Sequence, residues 1–163
     1  MKVAITGSSG LIGTALTKSM LADGHSMVRM LRGGAATDAT TLHWDPLRGE
    51  LDPQGLEGVD AVVHLAGAGI LDKRWTEARK KELLDSRVVS TSLLANTLAS
   101  MGSPPPVLLS GSAIGWYGER GNEACTEIST PGDDFLAGLC QSWEAATQPA
   151  KTAGLRVVHL RTG

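Results

Sequence analysis

Three glycines spaced by three, Gly7, Gly10 and Gly13, lie in the turn Gly7-Ser8-Ser9-Gly10-Leu11-Ile12-Gly13, between an apolar run and a segment of helical spacing. That context gives the spacing chemical meaning. A glycine at a strand end permits a tight turn, a second lets a pyrophosphate approach the backbone, and a third allows close helix packing, while free N–H groups at the helix start face the anion. The turn predicts a dinucleotide site built from Gly7, Ser9, Gly10, Leu11, Ile12 and Gly13; the alternative is a purely structural turn. No Gly-Lys-Ser/Thr follows, which excludes a Walker-type loop. The second apolar run ends in Leu31-Arg32, with no carboxylate until Asp38. NAD sites usually place Asp or Glu there, and that carboxylate would repel a 2′-phosphate, whereas a guanidinium binds one with charge-assisted hydrogen bonds. Leu31 and Arg32 therefore predict NADP in preference to NAD; the competing reading, a solvated arginine, suits Arg29 better. His64, inside an apolar run, reads as a satisfied buried histidine before an acid or base. Cys125 and Cys140 have no metal-ligand spacing and read as reduced thiols, with no metal site.

These groups need elements to hold them. Residues 2–6 form an apolar, β-branched run, and Leu11, Ile12, Ala15, Leu16 and Met20 follow at helical spacing. The helix should stop near Asp23-Gly24, before a strand at 27–31. A weaker strand is expected at 41–44, then the loop 45–49, and residues 33–41 read as a mobile loop. Residues 60–65 are almost all apolar, as suits a strand covered on both faces. Residues 75–101 predict one long helix, closed by Pro104, Pro105 and Pro106. A strand at 107–110, a helix at 133–152 irregular around Pro149, and a strand at 155–160 complete the chain. Alternating strands and helices are the pattern of an α/β fold with a doubly wound parallel sheet.

Composition narrows the function classes. The 163 residues carry a formal net charge of -2, without the concentrated basic face that a nucleic-acid or membrane-surface binder needs. No apolar run approaches the roughly 18 residues that would span a bilayer. The start lacks the features of a secretory signal, which points to the cytoplasm.

With DAVVHLAG (residues 60–67), Arg74-Trp75, Ser86-Arg87-Val88, LSGSAIGWYG (residues 109–118) and FLAGLCQSWE (residues 135–144), the chain resembles the extended short-chain dehydrogenase/reductase superfamily. Within it the chain is similar to an atypical branch, the NAD(P)-binding epimerase-like family often labelled nucleoside-diphosphate-sugar epimerase. The resemblance implies a Rossmann domain over residues 1–163 and backbone contacts to the cofactor from Leu65, Ala66 and Gly67. It also implies cofactor contacts from Glu82 and Arg87, although a helix-surface Glu-Arg network explains the same residues. Asp45 is placed either near the adenine or as a turn former before Pro46.

Members of the superfamily oxidise and reduce carbinols with a Ser or Thr, a Tyr and a Lys. Ser112, read as following its strand directly, matches the serine. The expected Tyr-x-x-x-Lys is replaced by Phe135 and Leu139, and the only tyrosine is Tyr117. Tyr117 is the remaining candidate acid or base, with Arg87 as a source of positive charge; Trp75, Trp116 and Trp143 read as pocket walls and core. The expectation is an NADP-dependent epimerase or oxidoreductase acting on a small sugar nucleotide or related carbonyl compound. The alternative is a non-catalytic NADP-binding sensor. The resemblance implies a protein about twice as long, so the chain reads as an N-terminal portion lacking the C-terminal substrate region. Its last strand would then be a hydrophobic edge able to pair with a second copy in a homodimer.

Overall fold

The computed structural model describes residues 1–33 and 38–163. Residues 34–37 of the expected 33–41 loop lie outside the described residues. Strand β1 (Lys2–Thr6) leads into helix α1 (Leu11–Ala22) and strand β2 (Ser26–Leu31). Then come β3 (Thr41–Asp45), the two-residue β4 (Glu50–Leu51), β5 (Ala61–His64) and the 24-residue helix α2 (Glu77–Ser100). Strand β6 (Val107–Ala113), a 3-10 turn (Ile114–Tyr117), helices α3 (Phe135–Ala145) and α4 (Gln148–Thr152), and β7 (Arg156–Thr162) follow.

The strands form one sheet in the order β4-β3-β2-β1-β5-β6-β7, parallel except for the β3–β4 hairpin. The order reverses at β1, where the chain leaves β3 and β2 on one side and places β5 on the other. That switch point is where open α/β sheets bind ligands. Side chains alternate across the strands: Val3 and Ile5 pack with Leu16 and Met20 of α1, while Ala4 faces the Leu94, Leu98 and Trp44 cluster under α2.

The expected elements are present, with differences that have local causes. β4 was not expected, because two residues are too few to show a period; its hairpin closes where Asp45 Oδ1 accepts from the Leu47 and Arg48 N–H groups. Asp45 is therefore the turn former. The expected 133–152 helix is two helices, with Pro149 in the first turn of α4, where a missing N–H costs nothing. β6 runs three residues further than expected, so Ser112 lies within the strand and not after it. Among the described residues no helix is long and apolar enough to cross a membrane.

Candidate functional site

Gly7 takes φ +69°, and a Cβ there would stand 2.8 Å from the Leu65 carbonyl carbon. A Cβ on Gly13 would collide with the Gly7 carbonyl oxygen. The two glycines thus let the start of α1 close onto the end of β1 beside the end of β5. Gly10 is the N-cap of α1 and offers no side chain, whereas α2 and α3 begin at Thr76 and Asp134, whose side chains accept from the Arg79 and Ala137 N–H groups. The first N–H groups of α1 are therefore left for a ligand. Leu11 and Ile12 are exposed beside them. Under this cradle His64 is fully buried, bonded to Thr6 Oγ1 at 2.7 Å and Thr91 Oγ1 at 3.0 Å. Burial pushes its pKa down to about 4, so it is neutral at pH 7. It is the satisfied buried histidine the sequence suggested.

Two clefts open from the cradle. One, of about 230 Å³, is lined by Gly7, Ser9, Gly10, Leu31, Leu65 and Gly67 among others. The Leu65 and Ala66 N–H groups both donate to Thr6 Oγ1, which fixes this turn against the end of β1. The other cleft, of about 480 Å³, lies between the β3–β4 turn and α2, with Trp44, Pro46, Leu47, Glu82 and Val89 in its walls. Arg32 lines both. It is exposed and makes no hydrogen bond or ion pair among the described residues.

Glu82 accepts from Arg79 at 2.7 Å, with Lys73 at 3.9 Å. The Arg79 hydrogen bond holds its carboxyl below the usual range. The Glu-Arg network on α2 therefore joins Glu82 to Arg79, not to Arg87. Arg87 is 6% exposed and lies over the Trp143 ring, its Cζ 5.0 Å from the centroid. It donates to the Leu83 carbonyl, its Nε has no partner, and no carboxylate pairs with it among the described residues. Burial lowers its pKa from the ordinary arginine value. A Cβ on Gly67 would come within 3.3 Å of its guanidinium carbon, so this buried cation sits directly beneath the turn that lines both clefts.

At the far end of β6, Ser112 is 3% exposed and its hydroxyl donates to Glu144 Oε1 at 2.7 Å. Glu144, on α3, holds Arg161 of β7 through two bonds: Nε to Oε1 at 2.8 Å and Nη2 to Oε2 at 2.9 Å. Burial pushes the Glu144 carboxyl up. The Arg161 and Ser112 hydrogen bonds and the His159 and Arg161 charges outweigh it, and the net displacement is downward. Arg161 is in turn raised by Glu144. Its guanidinium lies 3.9 Å from the Trp116 ring centroid, and Nη1 donates to Tyr117 Oη at 3.2 Å and to the Glu127 carbonyl. The cation beside Tyr117 is therefore Arg161, not Arg87. Ser112 and Tyr117 are linked through the Glu144–Arg161 ion pair, Ser112 bonding its carboxylate and Tyr117 its guanidinium. Phe135 and Leu139 stand where Tyr and Lys were expected: Phe135 packs edge-on against Trp75, and Leu139 is buried with Leu83 and Cys140. Glu144 and Arg161 were missed from the sequence; the signal available was one carboxylate in CQSWEA and one guanidinium in VVHLRT, neither with an opposite charge beside it in sequence.

A sequence profile of the NAD dependent epimerase/dehydratase family matches residues 3–161. The epimerase family protein Mb2239 of Mycobacterium bovis is 45% identical over 161 residues, 99% of this chain and 52% of that protein. The structure of human epimerase family protein SDR39U1 (isoform 2) with NADPH superposes with a TM-score of 0.86 at 34% identity, covering 100% of this chain and 54% of that one. A nucleoside-diphosphate sugar epimerase from Corynebacterium glutamicum superposes at 0.84 with 40% identity, covering 100% of this chain and 34% of that one. The chain spans about half the length of the curated relatives it matches. With the profile matched almost from end to end, the chain belongs to the NAD dependent epimerase/dehydratase family.

Proposed function

We propose that residues 1–163 are the NADP-binding Rossmann portion of an epimerase or oxidoreductase acting on a nucleotide sugar or a related carbonyl compound. The observation that carries the cofactor is Arg32, an uncommitted guanidinium shared by two clefts beside an uncapped helix start. A 2′-phosphate is the anion that such a position suits, and NAD has none. The residues fit the rest of the molecule. The N–H groups of Leu11, Ile12 and Gly13, with Gly7, Ser9 and Gly10, would hold the pyrophosphate. Leu47 and Val89 would hold the adenine, Leu31 beside Arg32 its ribose, and Leu65, Ala66 and Gly67 the portion leading to the reacting ring. Arg87, buried without a carboxylate among the described residues, would balance anionic charge above Gly67, and Arg79 holds Glu82 in place at the cleft wall. Human SDR39U1 with NADPH and the Corynebacterium sugar epimerase support both the cofactor and the substrate class.

NADP, when bound, supplies hydride acceptance and donation. Tyr117 gives a proton to the substrate oxygen or takes one from it, and Ser112 steadies Glu144 in the clamp behind it. Titration with NADPH and NADH tests the cofactor: wild type binds NADPH in preference, and equal affinity refutes the assignment. A panel of nucleotide sugars and simpler carbonyl compounds, followed by loss of NADPH absorbance, tests the reaction. One observation favours a second reading, that of an NADP-binding sensor: Leu139 is sealed in the core where a lysine would hold the nicotinamide ribose. Tight NADPH binding with no turnover across the panel selects the sensor.

A further inference from the structure

We infer that Arg161, held by Glu144, is a positioning residue that activates Tyr117. The inference rests on the proposal that Tyr117 moves a proton. Four of the five N–H donors of Arg161 are used: Nε and one of Nη2 on Glu144, and both of Nη1 on Tyr117 Oη and the Glu127 carbonyl. The guanidinium is thus largely committed within the chain, and its Nη1 is directed at the phenolic oxygen. Tyr117 accepts that hydrogen bond, and among the described residues it donates none, so its own proton is not committed within the chain. Trp116 beneath the guanidinium and Glu144 beside it leave the cation one orientation. A fixed cation favours the negative charge that develops on an oxygen as its proton departs. Ser112, 3% exposed, completes the clamp as a third partner through its bond to Glu144.

The chain has a single tyrosine, so its reactivity can be read without knowing the substrate. With an arylsulfonyl fluoride the phenolic oxygen attacks sulfur, an O–S bond forms, the S–F bond breaks, fluoride leaves, and the phenolic proton passes to solvent. Peptide mapping then follows the sulfonate ester at Tyr117. At one neutral pH, wild type should be labelled about tenfold faster than Arg161→Gln, the change expected from losing a hydrogen bond to a charged group. Arg161→Lys, which keeps the charge, should recover most of the rate, and Glu144→Gln should fall between. Labelling of folded Arg161→Gln at the wild-type rate overturns the inference. If that variant does not fold, Glu144→Gln labelled at the wild-type rate overturns it equally. The underlying reading has a separate test, since Tyr117→Phe with full turnover on a substrate from the panel removes Tyr117 as acid or base whatever the labelling shows.

Discussion

Removing Arg161 should destabilise the chain more than removing both members of its ion pair. In Arg161→Gln the carboxylate of Glu144, 8% exposed in this structure, keeps Ser112 and His159 as side-chain partners among the described residues but loses its cation. Stranding one member of a buried pair costs about 3–5 kcal/mol, and because the Arg161 side chain is 16% exposed the low end, ~3 kcal/mol, applies. For a chain of this size ~1 kcal/mol moves Tm by about 2–4 °C, so Arg161→Gln should melt roughly 6–12 °C below wild type. Adding Glu144→Gln removes the stranded charge and should restore part of that loss. Thermal unfolding followed by circular dichroism at neutral pH measures all four proteins of the cycle. Acid supplies the sign. The Glu144 carboxyl titrates below its ordinary value in the folded chain, so its stabilisation is present above the ordinary carboxylate range and is lost as pH falls through the lowered value. The gap between wild type and Glu144→Gln should therefore close on acidification. If Arg161→Gln and the double variant melt within about 2 °C of each other at neutral pH, the stranded-charge argument fails.

Arg32→Ala should weaken NADPH binding by about tenfold or more and leave NADH nearly unchanged, because the lost contact is a charge-assisted one to the 2′-phosphate alone; fluorescence titration decides, and equal losses remove the assignment. Gly13→Ala forces the start of α1 off the Gly7 carbonyl, so calorimetry should show NADPH affinity falling sharply. Gly138→Ala, exposed inside α3 with no atom within 4 Å of the new methyl, should instead raise stability by about 0.5–1 kcal/mol, read by denaturant unfolding. β7 lies at the sheet edge with its residues only half-buried, and light scattering should find a dimer paired there; a monomer at high concentration counts against it.

The first βαβ unit was legible in the sequence because its information is local: Gly7, Gly10 and Gly13 sit between the strand and the helix they connect. The same holds for Arg32, whose meaning comes from the strand end it follows. A continuous apolar run located β5, which is buried on both faces, and a long stretch closed by Pro104, Pro105 and Pro106 located α2. Glu144 and Arg161 were not legible, since they lie on separate elements and become partners only when β7 docks beside β6. The position of Arg87 could be read, but its surroundings could not: nothing local shows that a cation stays buried above Trp143. Pro149 marked a break correctly, yet the two-helix solution depends on tertiary packing of Ala150 and Leu155 against α2.

The register of β6 with β7 pairs Ser112 with Arg161, and Ala113 with Thr162. Strand side chains alternate in direction, so a slip of one residue would turn Arg161 to the opposite face and bring Leu160 or Thr162 to Glu144. Either alternative would bury a carboxylate against a neutral neighbour. The pair therefore acts as a proofreader of strand alignment: it rejects the neighbouring registers of β7, a discrimination that the aliphatic Val157, Val158 and Leu160 could not supply alone.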